Sequence, residues 1–277
     1  MKKILFPTDF SKTANNAFIY ALKLAENIKA EIITLHVYEL PIIDNQGFPS
    51  YLFEIYDVIE LSNFENYKDQ IPLLRKIAEE NNLDHIKMSH VLQQGSLVSI
   101  IDEIVKKEHI NFVVMGTNGA SGLKETFLGS NTGNVISGIE TFVLAIPEHY
   151  HFHAIKKIAF TTRFKEKDRI ALRKVLEIAR GFDAKVHCIY VKTAKAKVSE
   201  AVIQDWNTDF EGDDVAFHII ENENVKDSIL KFAENKKMGM LAMLDYKRGF
   251  LEELFTDSLT QKIAHHIHIP ILALHIK

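Results

Sequence analysis

The second half of this 277-residue chain repeats the plan of the first half, and the repeat limits the fold more than any other feature. Ile158–Thr162 aligns with Ile4–Thr8, and Ala184–Val191 aligns with Ala30–Val37. Later positions match in the same way: His218, Met243, Phe255, Ser258 and Thr260 correspond to His90, Met115, Phe127, Ser130 and Thr132. A unit of ~130 residues is too long for a solenoid repeat. We therefore predict two copies of one domain, at residues 1–148 and 154–277, joined by a linker at Pro147–Ile155.

Short apolar runs alternate with helical patterns along each half. In the first half the predicted strands are Ile4–Phe6, Glu31–Val37, His85–Leu92, Phe112–Met115 and Phe142–Ile146. Ser11 suits the N-cap of a helix that runs to about Lys29. Strands that alternate with helices in this way predict βαβ units and a parallel sheet with helices on both faces, which is the α/β class.

A glycine-punctuated loop follows the strand Phe112–Met115. The spacing is Gly116, two residues, Gly119, nine residues, Gly129 and Ser130, and a helical pattern then begins. Glycine lets the backbone approach a ligand closely, and a helix N-terminus presents free N–H groups that attract anions. The alternative is that the glycines only shape a tight connection between strand and helix. The arrangement favours a ligand that carries phosphate, at the carboxyl end of the strand.

This spacing resembles the nucleotide-binding signature of the universal stress protein family, and the resemblance extends over both halves of the chain. It implies two tandem Rossmann-like domains, each with a five-stranded parallel sheet of order 3-2-1-4-5, that form a pseudo-dimer. The last strands, Phe142–Ile146 and Ile271–Leu274, are expected to pair with each other and so cover two open sheet edges. Homodimerisation of the whole chain stays open.

The resemblance also implies a site for ATP, or for ADP or AMP, at the carboxyl edge of the first sheet. By position, Pro7, Thr8 and Asp9 lie near adenine and ribose, Val37 lines the adenine pocket, and Met115 and Gly116 flank base and sugar. The expected phosphate-binding residues are Gly119, Gly129, Ser130, Asn131 and Thr132. Asp9 could hold a ribose hydroxyl or Mg²⁺; alternatively it caps the first helix.

The two halves differ at the positions of this motif. Gly116, Gly119 and Gly129 correspond to Leu244, Lys247 and Asp257, and Asp9 corresponds to Arg163. Leucine and lysine side chains would occupy space that a nucleotide needs, and Asp257 would repel phosphate. We therefore expect one competent site, in the first half, and a degenerate copy in the second.

The first half also carries an extra segment, at Glu39–Asn66, which includes Leu52, Ile55, Tyr56 and Ile59 at positions that could share a helical face. We interpret it as a loop that packs back on its own domain. The alternative is a lid over the nucleotide or a surface for a partner.

Composition excludes several classes of function. The net charge of -4 gives no attraction to nucleic acid or to anionic membranes. The apolar run at the N-terminus is too short for a signal peptide, and no run approaches a membrane span. The single cysteine, Cys188, excludes an intrachain disulfide and argues against a cysteine-based metal site. A cytoplasmic location is expected by default.

Three functions are compatible with the sequence. The first is a stress-response protein that binds ATP and acts through binding and not through turnover. The second is a slow ATPase or phosphotransferase that uses the same site, although no catalytic base or arginine finger can be named. The third is a scaffold that has lost nucleotide binding, and the complete motif in the first half speaks against it. No catalytic or metal-binding residue is predicted.

Overall fold

The computed structural model describes residues 1–40, 49–117, 129–195, 198–244 and 269–276. The first half contains β1 (Lys2–Pro7), α1 (Lys12–Ile28), β2 (Ala30–Tyr38), α2 (Pro49–Glu80), β3 (Met88–Gln94), α3 (Leu97–Glu108), β4 (Phe112–Gly116), α4 (Ser130–Gly138) and β5 (Phe142–Ile146). The second half contains β6 (Lys157–Thr161), α5 (Glu166–Phe182), β7 (Lys185–Lys192), α6 (Glu200–Asp209), β8 (Val215–Glu221), α7 (Val225–Asn235), β9 (Met240–Leu244) and β10 (Ile271–Leu274).

The described strands form one sheet in the order β3-β2-β1-β4-β5-β10-β9-β6-β7-β8. Neighbouring strands within each half are parallel, so each half has the predicted order 3-2-1-4-5. β5 and β10 pair antiparallel, with Leu272 opposite Leu144. This pairing confirms the expected pseudo-dimer. Because it is antiparallel, the strands of the two halves run in opposite directions, and their carboxyl ends lie at opposite edges of the sheet.

Helices cover both faces of the sheet, as the alternation of strands and helices predicts. Buried residues of α1, α2, α5 and α6 belong to the apolar cluster on one face, and those of α3, α4 and α7 belong to the cluster on the other. The central strands are buried on both faces; Ile4, Leu5 and Phe6 of β1 have no exposed surface. Parallel strands of this kind read as continuous apolar runs, which is why the sequence reveals them.

The third strand begins three residues later than predicted, at Met88 instead of His85. The chain leaves α2 through Asn82, whose φ is 57°. Leu83 N–H donates to the carbonyl of Ala78 at 2.8 Å, and Ile86 N–H donates to that of Leu83 at 3.1 Å. Leu83 and Ile86 are both buried. The apolar residues near His85 therefore anchor a turn, and the sequence pattern alone does not separate such a turn from the start of a strand.

The extra segment of the first half is helical over residues 49–66, so the expectation of a loop there is wrong. These residues form the N-terminal part of α2, a helix of 32 residues. Ile55, Tyr56 and Ile59 are half-buried. Val58, Leu61 and Phe64 are 66%, 59% and 54% exposed, so this part of the helix does not bury all its apolar side chains against its own domain. Residues 41–48 lie outside the described residues.

The linker between the halves is held against α1. Asn16 Nδ2 donates to the carbonyl oxygens of Pro147 and Tyr150, at 3.3 and 3.0 Å. The Tyr20 hydroxyl donates to the carbonyl of His151 at 3.3 Å, and its ring packs edge-on against Phe152. These contacts with α1 hold the linker in place, although the linker is neither helix nor strand. Within the described ranges, no helix is both long enough and apolar enough to cross a membrane.

Candidate functional site

A cavity of about 420 Å³ lies at the carboxyl edge of the first sheet, where the order of strands reverses between β1 and β4. Open α/β sheets bind ligands at such a switch point. Every predicted site residue that the structure describes lines this cavity: Pro7, Thr8, Asp9, Val37, Met115, Gly116, Gly129, Ser130, Asn131 and Thr132. Gly119 lies outside the described residues. The fold thus brings together residues that are far apart in the chain.

The loop after β1 is fixed by short-range hydrogen bonds. Thr8 N–H extends the sheet and donates to the carbonyl of Leu35 at 2.8 Å. Phe10 has a φ of 58°, and its N–H donates to Thr8 Oγ1 at 2.9 Å. Ser11 is the N-cap of α1, since its side chain accepts from Ala14 N–H at 3.2 Å. Asp9 is therefore not the cap. Its Oδ1 accepts from Ser11 N–H at 3.1 Å, and the side chain stays exposed at the rim of the cavity.

Gly116 is required by packing against α1. A Cβ atom at this position would lie 2.7 Å from Thr13 Cγ2 and 3.2 Å from the Thr13 carbonyl oxygen. Real Cβ contacts are essentially never as close as the first of these distances. The motif alone explains this glycine by a close approach of ligand to the backbone. The structure adds a second reason, which is that α1 crosses the end of β4 at this point.

The N-terminus of α4 faces the cavity and is braced against β4. Gly129 is the N-cap residue, and its N–H donates to the Thr117 carbonyl at 2.7 Å. Thr132 is 2% exposed, and its hydroxyl donates to the Gly116 carbonyl at 2.8 Å. The Thr132 hydroxyl is thus occupied within the protein. Helix geometry leaves the first N–H groups of α4 without intrahelical acceptors, and they carry the positive end of the helix dipole.

Sequence reasoning missed several residues that line the cavity: Ala14, His36, Glu39, Gly95, Leu97 and Thr117. His36 Nδ1 lies 2.7 Å from the Thr8 carbonyl oxygen, and its ring stacks on Tyr67 at 6.0 Å. Gly95 has a φ of 139°, a conformation that favours glycine. A usable signal existed for two of these positions, because Glu39 and Gly95 directly follow strands that end at the same edge of the sheet.

The described residues that line this cavity include two carboxylates, those of Asp9 and Glu39. They include neither lysine nor arginine. Among these described residues, the favourable potential for an anion comes from the backbone at the start of α4. Among the described residues, no group of three or more His, Cys, Asp or Glu side chains is placed so that it could hold a metal ion.

The second half has a corresponding cavity of about 460 Å³ at the opposite edge of the sheet. Leu244 is 3% exposed and lines it. The expectation that a leucine at this position reduces the space for a nucleotide stays a prediction. Alternate residues of a strand share a face, so Leu244 lies with Met240 and Ala242 in the apolar cluster that faces α5. Lys247 and Asp257 lie outside the described residues.

These features define a doubly wound α/β protein of two similar halves, each with a cavity at the carboxyl ends of its parallel strands. The model of the universal stress protein family matches residues 1–147 and 154–275. The chain belongs to the universal stress protein family, as the sequence motif indicates.

Individual relatives agree with this assignment. Universal stress protein MJ0577 of Methanocaldococcus jannaschii is 33% identical over 158 residues, which is 52% of this chain and 94% of that protein. Universal stress protein YxiE of Bacillus subtilis is 25% identical over 128 residues, 46% of this chain and 86% of its own. A universal stress protein of Archaeoglobus fulgidus has the same fold throughout, with a TM-score of 0.72, 19% identity, and coverage of 99% of this chain and 96% of that one.

Proposed function

We propose that this protein binds an adenine nucleotide, ATP in the first instance, in the cavity of the first half, and that it acts in a stress response through binding and not through turnover. One observation carries the proposal. Residues that the family motif assigns to base, ribose and phosphates line a single cavity, and the N-terminus of α4 lies at one side of it. In this assignment Pro7, Val37 and Met115 contact the base.

The phosphates would lie against the backbone N–H groups of Ser130, Asn131 and Thr132. This position suits an anion because the helix dipole and the free N–H groups both favour negative charge there. Thr132 and Gly129 hold the start of the helix against Thr117 and the end of β4, so the donors are positioned before ligand arrives. Mg²⁺ bound to the phosphates would offset the negative charge of Asp9 and Glu39.

We also propose domain limits at residues 1–148 and 154–277, and a cytoplasmic location. The duplicated strand order and the two segments matched by the family model support the domain limits. The single cysteine, Cys188, supports a reducing compartment; it is buried, and burial raises the pKa of its thiol well above the ordinary value.

Calorimetric titration with ATP–Mg tests the nucleotide proposal. We expect about one nucleotide per chain. Asn131→Asp places a negative charge in the first turn of α4, at the rim of the cavity, and should weaken binding at least tenfold through repulsion of the phosphates. Asn134→Asp is the matched control, since it makes the same exchange at another exposed position of α4 that does not line the cavity. Equal effects of the two variants, or no binding by the wild-type protein, would refute the proposal.

Mass spectrometry of the bound nucleotide separates binding from turnover. We expect ATP to remain intact for hours in a mixture with the protein. Production of ADP in proportion to protein concentration, abolished by Asn131→Asp, would favour the slow ATPase.

A further inference from the structure

The cavity of the second half has the same framework as the cavity of the first half. Thr162 N–H donates to the Ile189 carbonyl at 2.9 Å, as Thr8 N–H does to that of Leu35. Phe164 has a φ of 56°, and its N–H donates to Thr162 Oγ1 at 2.8 Å, which repeats the bond between Phe10 and Thr8. The loop after β6 therefore has the shape of the loop after β1. The site has been retained as a cavity while its chemistry has changed.

The charge of the described lining is reversed between the two cavities. In the first half the ionised side chains of the described lining are Asp9 and Glu39. In the second half they are Arg163, Lys165 and Lys195. Arg163 stands at the position of Asp9. Three cations at one cavity attract an anion, and a guanidinium matches the geometry of a carboxylate or phosphate.

Two carboxylates fix the segments that carry these cations. Asp168 is fully buried and accepts from Thr162 Oγ1, Arg163 N–H and Lys165 N–H, at 3.1, 2.7 and 3.1 Å. Glu223 Oε1 accepts from Ala194 N–H at 2.7 Å, directly before Lys195. Neither acid is among the lining residues. The backbone at the mouth of the cavity is thus held in place, which lowers the cost of ordering it around a ligand.

Six aliphatic residues make up most of the rest of the described lining, which also includes Tyr190 and three threonines. The aliphatic residues are Ile189, Val191, Val198, Val225, Ile229 and Leu244, and the threonines are Thr161, Thr162 and Thr193. No glycine lines this cavity in the described part of the chain, whereas Gly95, Gly116 and Gly129 line the first. Aliphatic walls gain free energy from burying methylene groups and offer few partners for the polar edges of a purine or a ribose. The volume of about 460 Å³ falls within the usual range for small-molecule sites, roughly 300–1,000 Å³.

We propose that the cavity of the second half binds an aliphatic chain with a terminal anion, a carboxylate or a phosphate. The anion lies at Arg163, Lys165 and Lys195, and the chain lies along Val191, Val225 and the neighbouring aliphatic side chains. The protein then has two sites of different specificity, at opposite edges of one sheet.

Titration with octanoate, nonanoate and decanoate tests the proposal directly. We expect one site per chain and about fourfold tighter binding for each added methylene, since a buried CH₂ contributes about 0.8 kcal/mol. Decanol, which has the same chain without the charge, should bind at least tenfold more weakly than decanoate. Decyl phosphate compared with decanoate shows which anion the site prefers. Failure of all these acids to bind, or equal binding of decanol and decanoate, would overturn the proposal.

Two variants locate the binding. The double variant Arg163→Gln/Lys195→Gln should weaken decanoate binding at least tenfold, whereas Lys231→Gln, a control at an exposed lysine outside the cavity, should leave it unchanged. Saturating ATP–Mg and the variant Asn131→Asp should also leave decanoate binding unchanged, because both act on the other edge of the sheet. Displacement of decanoate by ATP would place the acid in the first cavity and refute the proposal. The nucleotide proposal is tested by ATP binding to the wild type and to the variants Asn131→Asp and Asn134→Asp, and none of these measurements involves decanoate, so the two outcomes are separable.

Discussion

Thr132 Oγ1 donates a 2.8 Å hydrogen bond to the carbonyl oxygen of Gly116, and this bond ties the first turn of α4 to the end of β4. Gly116 and Thr132 are far apart in the chain, and residues 118–128 lie between them. The bond therefore fixes the position of the helix N-terminus relative to the strand. In the proposed site, that position decides whether the phosphates meet the N–H groups.

Replacement of Thr132 by valine should affect both stability and nucleotide binding. Thr132→Val removes the donor and leaves the carbonyl of Gly116 without this partner in a buried setting, which should cost about 1–3 kcal/mol of unfolding free energy. ATP should bind more weakly because the helix start is less well held. Thr132→Ser keeps the hydroxyl and is the matched control; we expect its ATP affinity to stay near that of the wild type. Urea unfolding and calorimetric titration measure the two effects, and equal affinities of the valine and serine variants would contradict the prediction.

Gly116→Ala should destabilise the protein through contact with Thr13. The new Cβ would lie 2.7 Å from Thr13 Cγ2, so α1 or β4 must shift. Overpacking of this kind costs roughly 1–3 kcal/mol. Gly239→Ala is a suitable control, because the nearest atoms to a Cβ there are at 3.4 Å, an ordinary contact.

A second substitution identifies the atom that causes the clash. The double variant Gly116→Ala/Thr13→Ala removes Cγ2 and leaves only the contact with the Thr13 carbonyl at 3.2 Å. It should therefore lose less unfolding free energy than the sum of the two single variants. Strict additivity would show that Thr13 Cγ2 is not the obstacle.

The fold could be predicted from the sequence because its determinants are local or repeated. The apolar strands, the N-cap at Ser11 and the duplication are all visible in the residues. The strand order and the β5–β10 pairing follow from the resemblance to the family, and the structure confirms both. The start of β3 could not be placed, because Leu83 and Ile86 are buried in a turn. Residues 49–66 include four apolar positions that could share a helical face, yet the sequence does not predict a continuous helix there. Val58, Leu61 and Phe64 are apolar but exposed, so the apolar residues do not follow a single buried face.

The candidate site was predictable where a motif marks it and not where only the fold brings residues together. Gly129 and Ser130 stand in a recognisable pattern, whereas His36 and Leu97 reach the cavity only because β2 and β3 end at the same edge. The effect of Leu244 on nucleotide binding stays a prediction. Leu244 lines the second cavity and also belongs to the apolar cluster that faces α5.

Removal of the Asp168 carboxylate should destabilise the second half. The carboxylate is fully buried and accepts from Thr162 Oγ1 and from the N–H groups of Arg163 and Lys165. Asp168→Ala leaves these donors without their acceptor, so we expect a loss of about 2–4 kcal/mol in urea unfolding. Asp205→Ala is the control, since that carboxylate is exposed and pairs with Arg169 at the surface. A similar small loss for both variants would contradict the prediction.

Histidines 187 and 218 should make stability depend on pH. His187 Nδ1 and His218 Nε2 are 3.0 Å apart, and the rings are stacked at 5.2 Å. When both rings are neutral, an N–H group of one ring can donate a hydrogen bond to the unprotonated nitrogen of the other. When both rings are protonated, two N–H donors face each other and no acceptor remains. Burial lowers the pKa of His187, with further lowering by His218 and nearby lysines. Burial, then Lys236 and Lys185, lowers the pKa of His218.

The direction of the pH effect follows from these shifts. Below the ordinary histidine pKa of about 6.5, the unfolded chain binds more protons than the folded one. The free energy of unfolding therefore has its full value above that pH and falls as the pH decreases. The limiting slope is about 1.4 kcal/mol per pH unit for each proton. Urea unfolding between pH 7.5 and 5.5 measures this slope.

The double variant His187→Gln/His218→Gln should reduce the dependence of the unfolding free energy on pH. It should not abolish that dependence, because burial and Arg75 also lower the pKa of His90. His85→Gln, at an exposed histidine, should leave the slope as in the wild type; a slope reduced equally by this control would show that the pair at 187 and 218 is not responsible.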